Sequence, residues 1–149
     1  MVTTKEPKVV PFRINQADGN IIAANGIANI WSDIWKYQVP QGTGIILQTG
    51  DQFSAYLHDG TAEVGDYDCF VKVEVRDPSE QDKDLILGPS LYQGVKEFQD
   101  RNRIKRIAVA KPVKVYPRQW ITITVKDNAA VQYARSFFEL LTSKVSVPL

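Results

Sequence analysis

Apolar and polar positions alternate along this chain with a period of two. From Cys69 through Arg76 one set reads Cys69, Val71, Val73, Val75 and the other Phe70, Lys72, Glu74, Arg76. Successive side chains of a strand point to opposite faces, so this pattern predicts a strand with one face on a core and the other mostly in water. Residues 52–58 repeat it, with Phe53, Ala55 and Leu57 against Ser54, Tyr56 and His58. Residues 120–125 do so again, with Ile121, Ile123 and Val125 against Trp120, Thr122 and Thr124. The expected core is therefore Phe53, Leu57, Val71, Val73, Val75, Ile121, Ile123 and Val125.

Five further stretches are rich in β-branched or aromatic residues and bounded by Pro, Gly, Asn or Asp: residues 9–15, 34–39, 44–48, 104–110 and 112–116. Residues 136–147 form an expected last strand. Turn chemistry separates these segments at Pro40-Gln41-Gly42, Thr49-Gly50-Asp51, Asp59-Gly60, Gly65-Asp66 and Asp127-Asn128. Helix is scarce: residues 128–134 read as a turn or a short helix, and residues 92–103 as a helix through Val95 and Phe98 or as a strand. The polar stretch 80–84 reads as an exposed loop. The expected fold class is all-β, an antiparallel β-sandwich or jelly-roll of about eight strands with an extended N-terminal arm and little helix.

At 149 residues the chain has the size of one domain, and no linker or solenoid repeat divides it. A single cysteine, Cys69, rules out an intrachain disulfide and reads as a small buried residue. Eighteen Lys and Arg against seventeen Asp and Glu give a net charge of +1, which disfavours generic coating of nucleic acid. Lys5, Glu6 and Lys8 stand where a signal peptide needs an apolar run, and no stretch approaches the roughly 18 apolar residues of a membrane span. A cytosolic chain, at least when made, with no membrane partner, is expected.

The search for chemistry excludes more than it finds. One histidine and one cysteine cannot make a His-Cys zinc cluster, and no phosphate-cradling glycine loop or nucleophile elbow is present. No cofactor and no catalytic residue are expected. His58 could serve as a general base, but on a strand beside Asp59-Gly60 a place facing solvent or a subunit contact is more economical. Asp59, Glu63, Asp66 and Asp68, interleaved with Gly60 and Gly65, offer oxygen ligands that suit calcium; their spacing departs from an EF-hand, and a hydrophilic hairpin turn is the preferred reading. Arg101, Arg103, Lys105 and Arg106 lie beside Tyr92 and Phe98 and could meet phosphates. Glu97 and Asp100 interrupt them, which favours a solvated face or an ionic contact to a neighbouring subunit. Trp31, Trp35 and Trp120 with six tyrosines could supply stacking platforms for sugars, core or interface, and in the segment 30–37 the sequence leaves open which of Trp31 and Trp35 is exposed.

The run Trp35-Lys36-Tyr37-Gln38-Val39-Pro40-Gln41-Gly42-Thr43-Gly44, followed by Leu47-Gln48-Thr49-Gly50-Asp51, resembles small β-sandwich structural proteins of tailed bacteriophages and related viruses. Val75-Arg76-Asp77-Pro78 and Lys96-Glu97-Phe98-Gln99-Asp100 add to the likeness. The resemblance implies a capsid decoration or cement protein, often trimeric, located in the virion. Its implied partners are the major capsid protein or other virion proteins, reached by an N-terminal arm. Residues 1–11 would be that arm and 12–149 the sandwich; Pro7, Pro11 and the Val9-Val10 pair suit a segment added to a partner's sheet, or equally a terminus leading into the domain's own first strand. Partner contacts are expected at Lys8, Val9, Val10, Trp31, Trp35, Arg101, Arg103, Lys105 and Arg106. The rival reading is a receptor- or carbohydrate-binding module using exposed Trp and Tyr.

Overall fold

The computed structural model describes residues 9–15, 20–21, 29–49, 52–59, 61–65, 67–96, 107–109, 111–128, 131 and 137–146; at 9–15, 20–21, 52, 107–108 and 137–146 it describes the backbone alone. Eleven strands and one short helix occur among them: β1 (Val9–Asn15), β2 (Asn20–Ile21), β3 (Ser32–Gln38), β4 (Thr43–Leu47), β5 (Gln52–Tyr56), β6 (Phe70–Arg76), β7 (Lys83–Leu91), α1 (Tyr92–Val95), β8 (Ile107–Ala108), β9 (Val113–Val115), β10 (Trp120–Lys126) and β11 (Phe137–Ser146). All strand pairings are antiparallel and fall into two sheets.

The first sheet holds six strands in four lines. β11 pairs with β1 along one edge, Val145 opposite Val9 and Glu139 opposite Asn15. Its other edge is shared by β4, through Ser143–Ile46, and β5, through Leu140–Phe53. Extending each register brings Leu47 and Gln52 opposite neighbouring residues of β11, so β4 and β5 lie in one line along it. The next line is built likewise: β9 pairs with β4 up to Leu47–Val113, and β8 with β5 from Gln52–Ala108, with residues 109–112 between. The second sheet runs β2-β3-β10-β6-β7. The chain alternates between the sheets at every connection except the β2–β3, β4–β5, β6–β7 and β8–β9 steps, so β10 is inserted between β3 and β6, and β11 between β1 and the β4–β5 line.

A single apolar core joins the sheets. All eight expected core residues are buried, together with Ile45, Leu47 and Val115 from the first sheet and Trp35, Tyr37 and Leu87 from the second. Each fully buried side chain of this size contributes about 1.5–3 kcal/mol relative to exposure. The turn at Pro40-Gln41-Gly42 forms as its residues predict. Gly42 takes φ +82° and the Thr43 N–H donates to the Pro40 carbonyl at 3.2 Å.

The structure corrects several expectations. The loop predicted at 80–84 ends two residues early, because Lys83 and Asp84 open β7, a strand the alternation did not reveal. Leu85-Ile86-Leu87 is a continuous apolar run followed by Gly88-Pro89, so no period-two signal marks this strand. Gly88 sits inside the strand at φ +80°, where an added Cβ would lie 2.5 Å from the Val71 carbonyl oxygen. Of residues 92–103, expected as a helix or a strand, Tyr92–Val95 form a short helix, and residues 97–106 lie outside the described residues. The strand expected over 104–110 is described only at Ile107–Ala108. The expected arm, residues 1–11, overlaps β1: Val9, Val10 and Pro11 pair with Val145, Lys144 and Ser143 of the chain's own last strand.

Candidate assembly surface

The outer face of the second sheet differs most from the pattern-based expectation. Paired residues share a face, so the ladder places Thr122 with Lys36 and Glu74, Thr124 with Asp33 and Lys72, and Trp120 with Gln38 and Arg76, on the side away from the core. Asp33 reaches this side through a bulge: the register passes from Ile123–Trp35 to Thr124–Asp33 and skips Ile34. Without the extra residue, strict alternation would put Asp33 on the core side with Trp35.

This face was expected to be mostly in water, yet Thr122, Thr124, Glu74 and Arg76 are buried. A closed set of ion pairs accounts for it. The Arg76 guanidinium donates from Nη1 to Asp33 Oδ2 at 2.6 Å and from Nη2 to Asp33 Oδ1 at 2.7 Å, a bidentate fork. Its Nε donates to Glu74 Oε2 at 3.2 Å, and Thr124 Oγ1 donates to Asp33 Oδ1 at 3.0 Å. Lys72 pairs with Glu74 at 2.8 Å, and the Lys36 ammonium donates to both oxygens of Glu80 at 3.0 and 2.9 Å. Three carboxylates thus meet three cations.

Glu80 comes from the connection between β6 and β7, at φ +62°. The connection is held by Glu80 N–H donating to the Asp77 carbonyl and by Trp120 Nε1 donating to the Pro78 carbonyl at 3.3 Å. It therefore folds over the sheet and screens the ion pairs from water. Burial alone would raise the Asp33 pKa, but the hydrogen bond and charge of Arg76, with Thr124 and Lys83, outweigh it and hold the carboxyl below its ordinary value. Burial likewise opposes ionisation of Glu74, and Lys72 and Arg76 reverse the balance downward. Arg76 is pushed above its usual range, chiefly by the Asp33 hydrogen bond.

The structure scatters the predicted contact residues. Trp35 is 1% exposed and stacked on Tyr37 at 6.3 Å between ring centroids, so it belongs to the core and offers no surface to a partner. Trp31 is half-buried, with the Lys72 ammonium 4.4 Å from its ring centroid, and Lys36 lies 4.7 Å over Trp120 in the same way. One face of each of these two rings is thus taken by a lysine rather than open to a sugar. Val9 and Val10 are in β1; Lys8, Arg101, Arg103, Lys105 and Arg106 lie outside the described residues.

His58 bridges Glu63 across a hairpin, its ring 6.3 Å from that of Tyr56. Asp59 Oδ1 accepts from the Thr61 and Ala62 amides, both at 2.8 Å, and these bonds lower its pKa. Burial raises the Cys69 thiol well above its ordinary range, and the charge of Asp127 adds to the rise. Sequence reasoning missed Asp33, Lys36, Lys72, Glu74, Arg76 and Glu80 as a unit. The available signal was the alternate charges at 72, 74 and 76 on a single strand face.

No protein-family model matches the chain, and no curated protein matches it in sequence. Solved structures do. VP17, a capsid protein of bacteriophage P23-77, superposes with a TM-score of 0.69 over 97% of this chain and 100% of its own, at 6% identity. The complex of VP16 and VP17, the two major capsid proteins of that phage, gives 0.67 over 92% of this chain and 98% of the matched chain, at 5% identity.

The chain has the fold of phage capsid proteins.

At these identities the likeness is one of architecture. It extends over nearly the whole of both chains.

Proposed function

We propose that this chain is a virion structural protein, a non-enzymatic subunit that builds a capsid shell as a jelly-roll domain. The observation that carries the reading is the end-to-end match to capsid proteins, with nothing of comparable size left over on either side. The outer face of the second sheet suits the role physically. Its charges are paired within the chain, three carboxylates with three cations, which leaves a face of no net charge.

The resemblance in sequence pointed to a cement protein attached to a shell. The fold match favours a place in the shell itself, because the solved counterparts are capsid proteins and one of them is a complex of two major capsid proteins. Association with other virion proteins follows from the same reading, and fold alone does not choose the partner.

The test is the composition of purified particles from the source of this sequence. A shell subunit will be among the most abundant proteins and will leave the particle only when the shell collapses. Release by mild denaturant from shells that stay intact would restore the cement reading, and absence from particles would overturn the proposal altogether.

A further inference from the structure

The same outer face carries a second zone unlike the first. Among the described residues, five large apolar side chains are exposed, and three of them, Tyr67, Phe70 and Leu85, belong to β6, β7 or the turn leading into them. Phe70 pairs with Leu91, and Leu85 pairs with Glu74, so Phe70 and Leu85 lie on the outer face, toward opposite ends of the β6–β7 hairpin. Pro89, also exposed, lies between them along β7. Leu85 and Phe70 are 53% and 39% exposed, against 6% and 4% for Glu74 and Arg76 on the same face. Apolar side chains left in water beside a zone whose charges are paired within the chain mark a surface for another molecule.

The edge itself does not invite a strand. β7 is the last strand of its sheet, its pairing with β6 shifts register twice, and Pro89 has no N–H to offer. Contacts here must be made by side chains.

Charges at the two ends indicate the occupant. Beside Phe70 stand exposed Asp68 and, on the neighbouring strand, Lys126; beside Leu85 stand exposed Asp82 and Lys83. Each end thus carries charges of both signs, exposed Asp84 adding a second carboxylate at the Leu85 end. A two-fold contact that lays the strip against itself in the reverse direction brings Lys83 to the partner's Asp68, and Lys126 to the partner's Asp82. A net charge of +1 puts no long-range repulsion between copies.

We infer that the outer face of β6–β7 is a homotypic docking surface that receives a second copy of this chain through Phe70 and Leu85, with Lys83–Asp68 contacts at its rim. The inference rests on the shell-subunit reading for its purpose, and an isologous patch of this kind is what a symmetric assembly requires.

Sedimentation of the purified full chain at micromolar concentrations tests it. The parent should form dimers. Leu85→Asp should weaken self-association about tenfold or more with an unchanged melting temperature, since Leu85 lies outside the core. Lys83→Glu should also weaken it, and adding Asp68→Lys should restore it. A monomeric parent, association indifferent to Leu85→Asp and Lys83→Glu, or a double variant no better than Lys83→Glu alone would overturn the inference. Particle composition separates the two readings. A chain present in particles but monomeric in solution defeats this contact and leaves the shell reading standing; a chain that dimerises through Leu85 yet is absent from particles does the reverse.

Discussion

Replacing Arg76 by methionine keeps a long unbranched stem in place and removes every donor of the guanidinium. In the parent those donors serve Asp33 at 2.6 and 2.7 Å, Glu74 at 3.2 Å and Glu80 at 3.4 Å. Glu74 keeps Lys72 and Glu80 keeps Lys36, so the main orphan is Asp33, left with the Thr124 hydroxyl and the more distant charge of Lys83. Removing one partner of a buried ion pair costs about 3–5 kcal/mol, because the other charge stays desolvated. The Asp33 side chain is 30% exposed, so water recovers part of that loss and the lower end applies, about 3 kcal/mol. For a domain of this size about 3 kcal/mol lowers the melting temperature by roughly 6–12 °C. Circular dichroism melts of Arg76→Met, Asp33→Asn and the double variant form a cycle in which the double variant should lose less than the sum of the singles. A loss below about 1 kcal/mol for Arg76→Met would show that the guanidinium spends its time in water, and the account of a closed face would fail.

Acid should act on the same network. Asp33 and Glu74 ionise more readily in the folded chain than at their ordinary values of 3.8 and 4.5, so their contribution is present above that range and is lost as pH falls through the depressed folded values. Arg76 is shifted upward and stays charged, so melting temperature measured against pH should hold through neutrality and drop in acid, and the absence of an acid drop would contradict the assignment; buried Cys69 and Tyr92, both raised above their ordinary values of 9.0 and 10.0, add a separate loss only as pH climbs past those values. Tyr92→Phe should cost about 1–3 kcal/mol in a denaturant titration, since the buried Leu57 N–H donates to Tyr92 Oη at 3.1 Å and would lose its acceptor. Gly88→Ala should cost at least about 2 kcal/mol, read from a thermal melt. It places a side chain at φ +80° and a Cβ against the Val71 carbonyl, whereas Gly65→Ala meets only the movable Asp68 side chain and should cost less.

Alternation sufficed for β5, β6 and β10, because each has one face on the core and polar residues on the other, and all eight expected core residues are buried. It could not reveal β7, where an apolar run and Gly88-Pro89 hide a strand that Pro89 can join only at a sheet edge. Nor could it reveal that Ile34 is skipped by the ladder, although that skip moves Asp33 to Arg76. A bulge depends on the partner strand, and the sequence of β3 alone carries no mark of it. The ion network failed to register for a related reason. Charges at 72, 74 and 76 look like an ordinary solvated face until Glu80, from a turn that reads as plain loop, is seen to close over them.

How copies of such a domain can meet is constrained by its edges. Among the described residues, β1 contains Pro11 and β7 contains Pro89, β2 covers two residues, and β8 and β9 cover two and three. Each device removes part of the row of free backbone groups on which a foreign strand would form. Docking a neighbour's extended segment along these edges is therefore poorly supported by backbone hydrogen bonds. Val9 and Val10, expected to make such a contact elsewhere, already pair with Val145 and Lys144 at home. Any reach toward a neighbour by the first residues must come from those before Val9, and contacts made by the sandwich itself must use its faces. The first zone of the outer face has satisfied its charges internally and offers a partner little beyond a flat polar surface. The strip from Phe70 to Leu85 offers apolar area, and burying that area is the stronger driving force at a face with no net field.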